Sequence, residues 1–407
     1  MDFEETEEER AFRAEVRAWL GQHAKPRVAG GPSDHSYIPG ERSAEADLEH
    51  VKACADWLRT LFEGGWAGIT WPVDAGGRGG AGWQQRIFNE EQAKFDVAVG
   101  AFAVGIGMAG PTIIACGTDE QKQRFLPAML RGDEIWCQLF SEPGAGSDLA
   151  GLRTRAERDG DEWIVNGQKV WTSGAHYSDW GLLLTRTDPE APKHKGITAF
   201  LLDMRAPGID VRPLRQITGS AHFNEVFLTD VRVADTFRLG PMNEGWRVAN
   251  TMLSNERALI GGGGRVGFRD IVDLARRCDA SDDPVMRQEL ARCYTRLQVI
   301  KWLGWRARSR KDQGLGPEAS VLKLAASRRL EADGNLVLAL QRTPAVLADG
   351  DAINDGYWQQ QFLMQWSSRI GGGTEQVQRN VIGERVLGLP GEPRLDKQLP
   401  FRELPKS

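Results

Sequence analysis

The stretch EWIVNGQKVW, residues 162–171, decides the predicted fold, because it places Asn-Gly between two runs of β-prone residues. Asn-Gly is the preferred pair for a two-residue type I′ turn, in which both central residues have positive φ. The stretch therefore predicts a hairpin that turns at Asn166 and Gly167. Further strand-like runs at 181–186, 197–203 and 225–233 predict a compact antiparallel β domain.

Helical patterns lie on both sides of this β region. Apolar residues recur at helical spacing over 12–20 and 48–62, and loops rich in glycine and proline are expected over 25–43 and 71–82. After residue 243 the helical period returns, with helices expected over 246–256, 266–277, 284–311, 318–348, 357–369 and 377–386.

This order of elements predicts a mainly helical α+β fold. We expect four parts: an N-terminal helical domain over 1–131, a middle antiparallel β domain over 132–240, a C-terminal helical bundle over 241–390 and an extended tail over 391–407.

Composition narrows the classes of function. The chain of 407 residues has a formal net charge of −5, which argues against a general nucleic-acid binder, because phosphate contacts need a basic face. Five widely spaced cysteines without a Cys-x-x-Cys pair argue against a disulfide framework or a metal site. The acidic N-terminus is unlike a targeting peptide, and no apolar run suits a membrane span. We therefore expect a cytoplasmic protein.

Two glycine motifs are candidate ligand sites. GIGMAG, residues 105–110, matches the Gly-x-Gly-x-x-Gly of dinucleotide-binding folds, but Pro111 follows at once and no β-α-β pattern surrounds it. Close packing of helices at small residues is the favoured interpretation. In SEPGAGSD, residues 141–148, Gly144 and Gly146 bring backbone N–H groups towards an anion, with a plain tight loop as the equal alternative.

Six segments in a fixed order resemble the flavin-dependent acyl-CoA dehydrogenase family. They are GTDEQK (117–122), SEPGAGSD (141–148), NGQKVW (166–171), NEGW (243–246), NER (255–257) and GGTEQVQRN (372–380). The resemblance covers nearly the whole chain and implies the same helical, β, helical order of domains. It also implies FAD as cofactor, oxidation of an acyl-CoA to the trans-2-enoyl-CoA, and an electron-transfer flavoprotein as acceptor.

The resemblance implies that Glu256 is the catalytic base, which removes the α proton while the β hydrogen leaves as hydride to flavin N5. Most of the family carries this carboxylate immediately before Gly-Thr, where this chain has Gly372, and Glu375 does not match that position. The isovaleryl and long-chain types place it at the position of Glu256, followed by an arginine, here Arg257, on the substrate side. Gly372 is implied to donate its backbone N–H to the thioester carbonyl. From the residues alone, a solvent-facing helix glutamate is the alternative for Glu256.

The resemblance also implies the cofactor contacts. These are Phe140 and Ser141 at the isoalloxazine edge, Gly146 in the cofactor loop, Ser147 at a wall shared by flavin and substrate, Trp171 over the flavin, Ser173 near N5, and Thr374 and Gln376 near the dinucleotide. For Trp171 the alternative is a core residue of the hairpin.

Two departures from the family pattern leave the subunit arrangement open. The segment 275–279 lacks the Phe-Gly that follows an FAD-binding arginine in relatives, so Arg276 and Arg277 remain equal candidates, and the adenine-side segment reads LQRTPA (340–345). A homodimer or homotetramer is expected, with a heteromer as alternative. Alternative functions are an oxidase, a dehydrogenase of carrier-protein thioesters and a flavin-poor partner subunit. The absent side chain at Gly372 favours a branched, long or ring-bearing acyl group.

Overall fold

The computed structural model describes residues 4–27, 44–260, 267–308, 319–348, 350–391, 393 and 397–404. The chain forms two compact units, one of residues 1–216, 220–252 and 396–407 and the other of residues 217–219 and 253–395. Most of the predicted 25–43 loop and parts of the predicted tail lie outside the described residues. Within the described ranges, no helix has the length and apolar character needed to cross a membrane, and no group of three metal-binding side chains occurs.

The first unit begins with helices that bury the predicted apolar residues. Phe12, Val16 and Leu20 lie in the core, and Thr6 caps the first helix through a reciprocal pair of hydrogen bonds with Glu9. A short bridge joins β1 (Lys25–Pro26) to β2 (Phe95–Asp96). The helices are α1 (Glu7–His23), α2 (Ala44–Glu63), α3 (Gly82–Gln92), α4 (Gly110–Cys116) and α5 (Asp119–Arg131).

The Gly-x-Gly-x-x-Gly motif lies in helical structure, which confirms the packing interpretation. Residues 105–109 form a π-helical turn that leads directly into α4, and no strand occurs over residues 97–104. A Cβ on Gly110 would come within 2.2 Å of the Trp71 ring, so glycine is needed for close contact with an indole. This geometry excludes a dinucleotide-binding turn at this position.

The middle of the chain forms one mixed sheet in the order β10-β7-β6-β4-β5-β9-β8, with β3 parallel to β6. The strands predicted near 181–186, 197–203 and 225–233 are confirmed. The core of the sheet contains Val165, Leu183, Phe200 and Val226. The strands are β3 (Trp136–Leu139), β4 (Arg155–Asp159), β5 (Glu162–Ser173), β6 (Trp180–Arg186), β7 (Ile197–Asp203), β8 (Ile209–Leu214), β9 (Phe223–Ala234) and β10 (Arg238–Leu239).

The predicted hairpin turn at Asn166 and Gly167 is wrong, because both residues lie inside β5. The chain turns instead at Gly160, with φ of 65°, between β4 and β5. At Asn166 the pairing of β5 with β9 shifts register, and the Asn166 side chain donates to Asp230 Oδ1 at 2.9 Å. A Cβ on Gly167 would lie 2.4 Å from Thr154 Oγ1. Asn-Gly therefore marks a bulge where two strands approach closely.

The second unit contains a helical core in which Ile271, Leu336, Leu340 and Trp358 pack together. The predicted 318–348 helix is too long, because Arg342 has φ of 56° and a 3₁₀ turn over Thr343–Val346 follows. A π-helical turn over Ile382–Val386 extends the last helix. The helices of this part of the chain are α6 (Gly245–Ile260), α7 (Phe268–Arg277), α8 (Pro284–Arg308), α9 (Ala319–Gln341), α10 (Tyr357–Ile370) and α11 (Glu375–Val381).

Candidate active site

A buried ion pair fixes the start of the 141–148 loop. The Lys169 ammonium donates to the Phe140 carbonyl at 3.1 Å and to Glu142 Oε1 at 2.8 Å, and both side chains of this pair are buried. The backbone amides of Arg153 and Thr154 donate to the same carboxylate at 2.6 and 2.9 Å. Four hydrogen bonds therefore anchor the two residues that flank Ser141.

Charge pairing keeps Glu142 ionised despite its burial. Burial alone would raise the pKa of Glu142, but the Lys169 charge and the donated hydrogen bonds hold the pKa below its usual range. Burial lowers the pKa of Lys169, against the pull of Glu142. The pair has a structural role, because the charged groups of both side chains are engaged in the contacts that hold the loop.

The rest of the 141–148 loop is a tight turn. Glu142 and Ala145 exchange two backbone hydrogen bonds, at 3.1 and 3.0 Å, and Asp148 forms an ion pair with Lys193 at 2.9 Å. Gly146 and Ser147 are exposed. A Cβ on Gly146 would meet nothing within 4 Å, so the turn itself does not demand glycine there. Anion binding at this turn stays a prediction.

Trp171 is an exposed residue in a strained backbone conformation, which is unlike a hairpin core residue. Its φ is 60°, its side chain is 60% exposed, and its ring meets the Phe223 ring edge-on at 6.0 Å. The neighbouring Val170 amide donates to the Ser141 carbonyl at 2.9 Å, so the end of β5 lies beside the loop. Ser173 is half-buried at the end of β5. An open indole near hydroxyl and carbonyl groups fits a planar cofactor ring.

In the second unit, residues 371–373 form a glycine turn whose carbonyl groups are tied down. Gly372 and Gly373 have φ of 65° and 89°, conformations that favour glycine. Gln378 Nε2 donates to both carbonyl oxygens, at 3.0 and 3.3 Å, and the Lys323 ammonium donates to the Gly373 carbonyl at 2.8 Å. Among the described residues, the Gly372 amide has no acceptor. The described residues therefore leave that N–H group open to a ligand.

Glu256 acts electrostatically on the lysine that holds this turn. It lies on α6 and is half-buried. Burial lowers the pKa of Lys323 to about 8, against the opposite pull of the Glu375 and Glu256 charges. The structure therefore brings Glu256 and the glycine turn into one electrostatic environment around Lys323. The Arg257 side chain lies outside the described residues.

The remaining candidates of the second unit have local roles. Thr374 caps α11, since its hydroxyl accepts from the Val377 amide at 3.2 Å, and Gln376 is exposed. Arg276 pairs with Asp273 at 3.0 Å, and Arg277 donates to Asn354 at 3.1 Å. The two arginines remain equal candidates for a contact with FAD.

Glu142, Lys169, Lys323 and Gln378 were missed in the sequence. Lys169 follows the polar residue Gln168 in NGQKVW (166–171) and gave no signal of its burial. For Lys323 a signal was present, because it is a lone charge among apolar residues in SVLKLAA (320–326). Such a charge is buried only when it has partners, which makes it a candidate for a structural or functional contact.

Comparisons with known proteins agree with the order of domains. Sequence models of the acyl-CoA dehydrogenase N-terminal, middle and C-terminal domains match residues 6–133, 137–231 and 243–387. The chain belongs to the acyl-CoA dehydrogenase family and is an oxidoreductase that acts on acyl-CoA.

Two relatives from Mycobacterium tuberculosis illustrate the similarity. The acyl-CoA dehydrogenase IpdE1 is 37% identical over 390 residues, 94% of this chain and 98% of IpdE1. The acyl-CoA dehydrogenase FadE34 is 39% identical over 368 residues, which cover 90% of this chain but 48% of FadE34.

Two solved structures are similar in fold along nearly the whole chain. The Tcur3481-Tcur3483 steroid ACAD has a TM-score of 0.81 at 29% identity, with 96% of this chain and 100% of that chain covered. The ChsE4-ChsE5 complex from Mycobacterium tuberculosis has a TM-score of 0.78 at 30% identity, with 97% and 100% covered.

Proposed function

We propose that the protein dehydrogenates an acyl-CoA thioester to the trans-2-enoyl-CoA with FAD as cofactor, and that Glu256 removes the α proton. The observation that carries this proposal is the shared environment of Glu256 and the glycine turn around Lys323. It supplies a carboxylate and, in the glycine turn, an amide that has no acceptor among the described residues. Enolate formation from a thioester requires these two kinds of group.

The carboxylate and the amide have different tasks in this reaction. Glu256 accepts the α proton, and the Gly372 amide donates to the thioester carbonyl, where negative charge develops. Such a preorganised donor contributes about 3 to 4 kcal/mol to the stabilisation of a transition state. The family resemblance assigns Ser147 and Arg257 to the substrate.

FAD is the cofactor because the exposed indole of Trp171 fits a planar ring and the family is generally FAD-dependent. Bound FAD supplies the hydride acceptor. The family resemblance assigns contacts with FAD to Phe140, Ser141, Gly146, Ser147, Trp171 and Ser173 in the first unit, and to Thr374 and Gln376 in the second.

The Glu256→Gln variant tests the base. Because the amide cannot accept the proton, we expect bound flavin to persist, while its reduction by substrate slows by about 10²- to 10⁴-fold. The measurement is an anaerobic titration with acyl-CoAs, followed by flavin absorbance. Glu244→Gln is a matched control, because Glu244 is an exposed glutamate that pairs with Arg247 at 3.2 Å. Normal bleaching of Glu256→Gln would show that another group is the base.

The Trp171→Ala variant tests the cofactor contact. We expect a lower flavin content in the purified protein with little change in the free energy of unfolding, because the indole is 60% exposed. Trp171→Phe keeps an aromatic face and should retain flavin. Equal flavin content and spectra in wild type and Trp171→Ala would refute the contact.

For the substrate we propose a ring-bearing acyl group, and for the assembly a heteromer with a second acyl-CoA dehydrogenase chain. Support comes from the neighbours, one described as a steroid ACAD and one as a ChsE4-ChsE5 complex. Titration with straight-chain, branched and ring-bearing acyl-CoAs tests the substrate. Light scattering and flavin content of the chain purified alone test the assembly. A flavin-loaded homotetramer would contradict the heteromer.

An electron-transfer flavoprotein is the proposed acceptor. Fast oxygen consumption on addition of substrate would identify an oxidase instead, and reduction only by carrier-protein thioesters would redefine the substrate. The cytoplasmic location stays a prediction.

A further inference from the structure

Lys323 is a buried charged group to which the proposed reaction gives no role. We propose that Lys323 is a positioning residue for this reaction: its ammonium holds the glycine turn through the Gly373 carbonyl, and its charge favours the carboxylate form of Glu256. This inference rests on the proposed function.

The first part of the inference follows from contact. Lys323 is 1% exposed, and its ammonium donates to the Gly373 carbonyl at 2.8 Å and more weakly to the Arg369 carbonyl at 3.5 Å. It projects from α9, which packs against α10 and α11, the two helices that flank the turn. These two carbonyl groups lie on either side of the peptide that joins Gly371 to Gly372, so the lysine restrains the turn at both ends. The Gly372 N–H group is thereby presented in one orientation.

The second part follows from the charges around the ammonium. Among the described residues, the carboxylates that act on Lys323 are Glu256 from α6 and Glu375 from α11. Glu375 already has two arginines at contact distance, Arg369 at 3.1 Å and Arg328 at 3.0 Å. These arginines compensate part of the Glu375 charge. Glu375 acts more strongly on Lys323 than Glu256 does, and the Lys323 charge acts on Glu256 in turn.

A cation close to a carboxylate favours its ionised form. Glu256 must be ionised to accept the α proton, whereas its burial beside an acyl chain would favour the neutral form. The proton moves from the substrate to Glu256 alone, and Lys323 keeps its own proton. With a pKa of about 8, the lysine is mostly protonated at neutral pH and loses its charge in alkali.

Lys323→Met in the full-length holoenzyme tests both parts, with its partner chain present if the assembly requires one. We expect flavin content to stay unchanged and kcat to fall by about 10- to 100-fold, since the turn loses an anchor. We also expect the acid limb of the kcat/KM profile to move up by about one pH unit, because Glu256 loses a neighbouring cation. Arg292→Met is the control: it removes an exposed cation of α8 that pairs with Glu289, and the acid limb should not move.

Lys323→Gln separates hydrogen bonding from charge, and it replaces the methionine variant if that variant does not fold. The amide can still donate to the Gly373 carbonyl, so kcat should fall less while the acid limb moves as far. An unmoved acid limb in both variants would refute the charge role, and an unchanged kcat would refute the anchoring role. These outcomes are distinct from failure of the proposed function, which the bleaching of Glu256→Gln reports.

Discussion

Lys169 and Lys323 are two buried lysines that hold two glycine-containing turns, but in different ways. Each ammonium donates to a turn carbonyl, that of Phe140 at 3.1 Å for Lys169 and that of Gly373 at 2.8 Å for Lys323. Lys169 also touches a carboxylate, Glu142 at 2.8 Å. Among the described residues, Lys323 donates to carbonyl oxygens, and carboxylates act on it through their charge.

The difference separates a structural charge from one that can serve a reaction. A lysine in contact with a buried carboxylate is neutralised by it, and losing either partner leaves a buried charge uncompensated. A lysine held by carbonyl groups keeps a net charge that extends to its surroundings, at the cost of a lowered pKa. We therefore expect changes at the Lys169 pair to affect folding first, and changes at Lys323 to affect catalysis first.

Glu142→Gln tests this comparison with the largest expected effect on stability. It leaves Lys169 buried without a carboxylate, so the free energy of unfolding should fall by about 3 to 5 kcal/mol. Denaturant unfolding of the purified protein measures the change. Glu157→Gln is the control, because Glu157 is an exposed residue of β4 that pairs with Arg155 at 3.5 Å. That pair should contribute under about 1 kcal/mol. A loss for Glu142→Gln as small as that of the control would show that the buried pair does not hold the loop.

Gly167→Ala has the next largest expected effect on stability. It acts on β5, the strand that carries Lys169. The added Cβ would lie 2.4 Å from Thr154 Oγ1 and 2.6 Å from Thr154 Cα, so β4 and β5 must separate. We expect a loss of about 1 to 3 kcal/mol in the free energy of unfolding. Gly146→Ala is the control, since its Cβ would meet nothing within 4 Å. Equal stability of the two variants would mean that the bulge at Gly167 accommodates a side chain.

The bulge at Asn166 and Gly167 also shows what the sequence alone could predict. The periodicity of apolar residues was enough to predict the order of helices and strands. Buried side chains recur about every 3.6 residues in a helix and at every second residue in a half-buried strand. Asn166 and Gly167 have the residue types of a turn, but the hydrogen bonds to Asp230 and the close approach of Thr154 place them in a bulge. Those partners are distant in sequence, and local propensity gives no information about them.

The same limit applies to the candidate site. Glu256 and Gly372 were predicted from a family resemblance, whereas Lys323 was missed because its partner, Gly373, is 50 residues away. Lys169 lies 27 residues from Glu142, and neither spacing corresponds to a motif. A lone lysine in an apolar segment indicates that a partner exists, but only the fold identifies it.

The smallest expected effect is a dependence of stability on pH that Lys323 should contribute and Lys323→Met should lack. The pKa of Lys323 is about 8 in the folded protein and about 10.5 in an unfolded chain. Between these values the unfolded chain binds more protons, so the Lys323 contribution to stability rises with pH. From about pH 7.5 to about pH 9.5, the free energy of unfolding of wild type should gain about 1 to 2 kcal/mol relative to Lys323→Met.

Denaturant unfolding at the two pH values measures this gain, and Lys52→Met, at an exposed lysine of α2, is the control that should show none. The difference between wild type and variant isolates Lys323, because every other titrating group is common to both proteins. If the difference stays constant with pH, the folded protein does not depress the pKa of Lys323. The ammonium would then be fully compensated by its surroundings, and Lys323 would no longer differ from a lysine with a purely structural role.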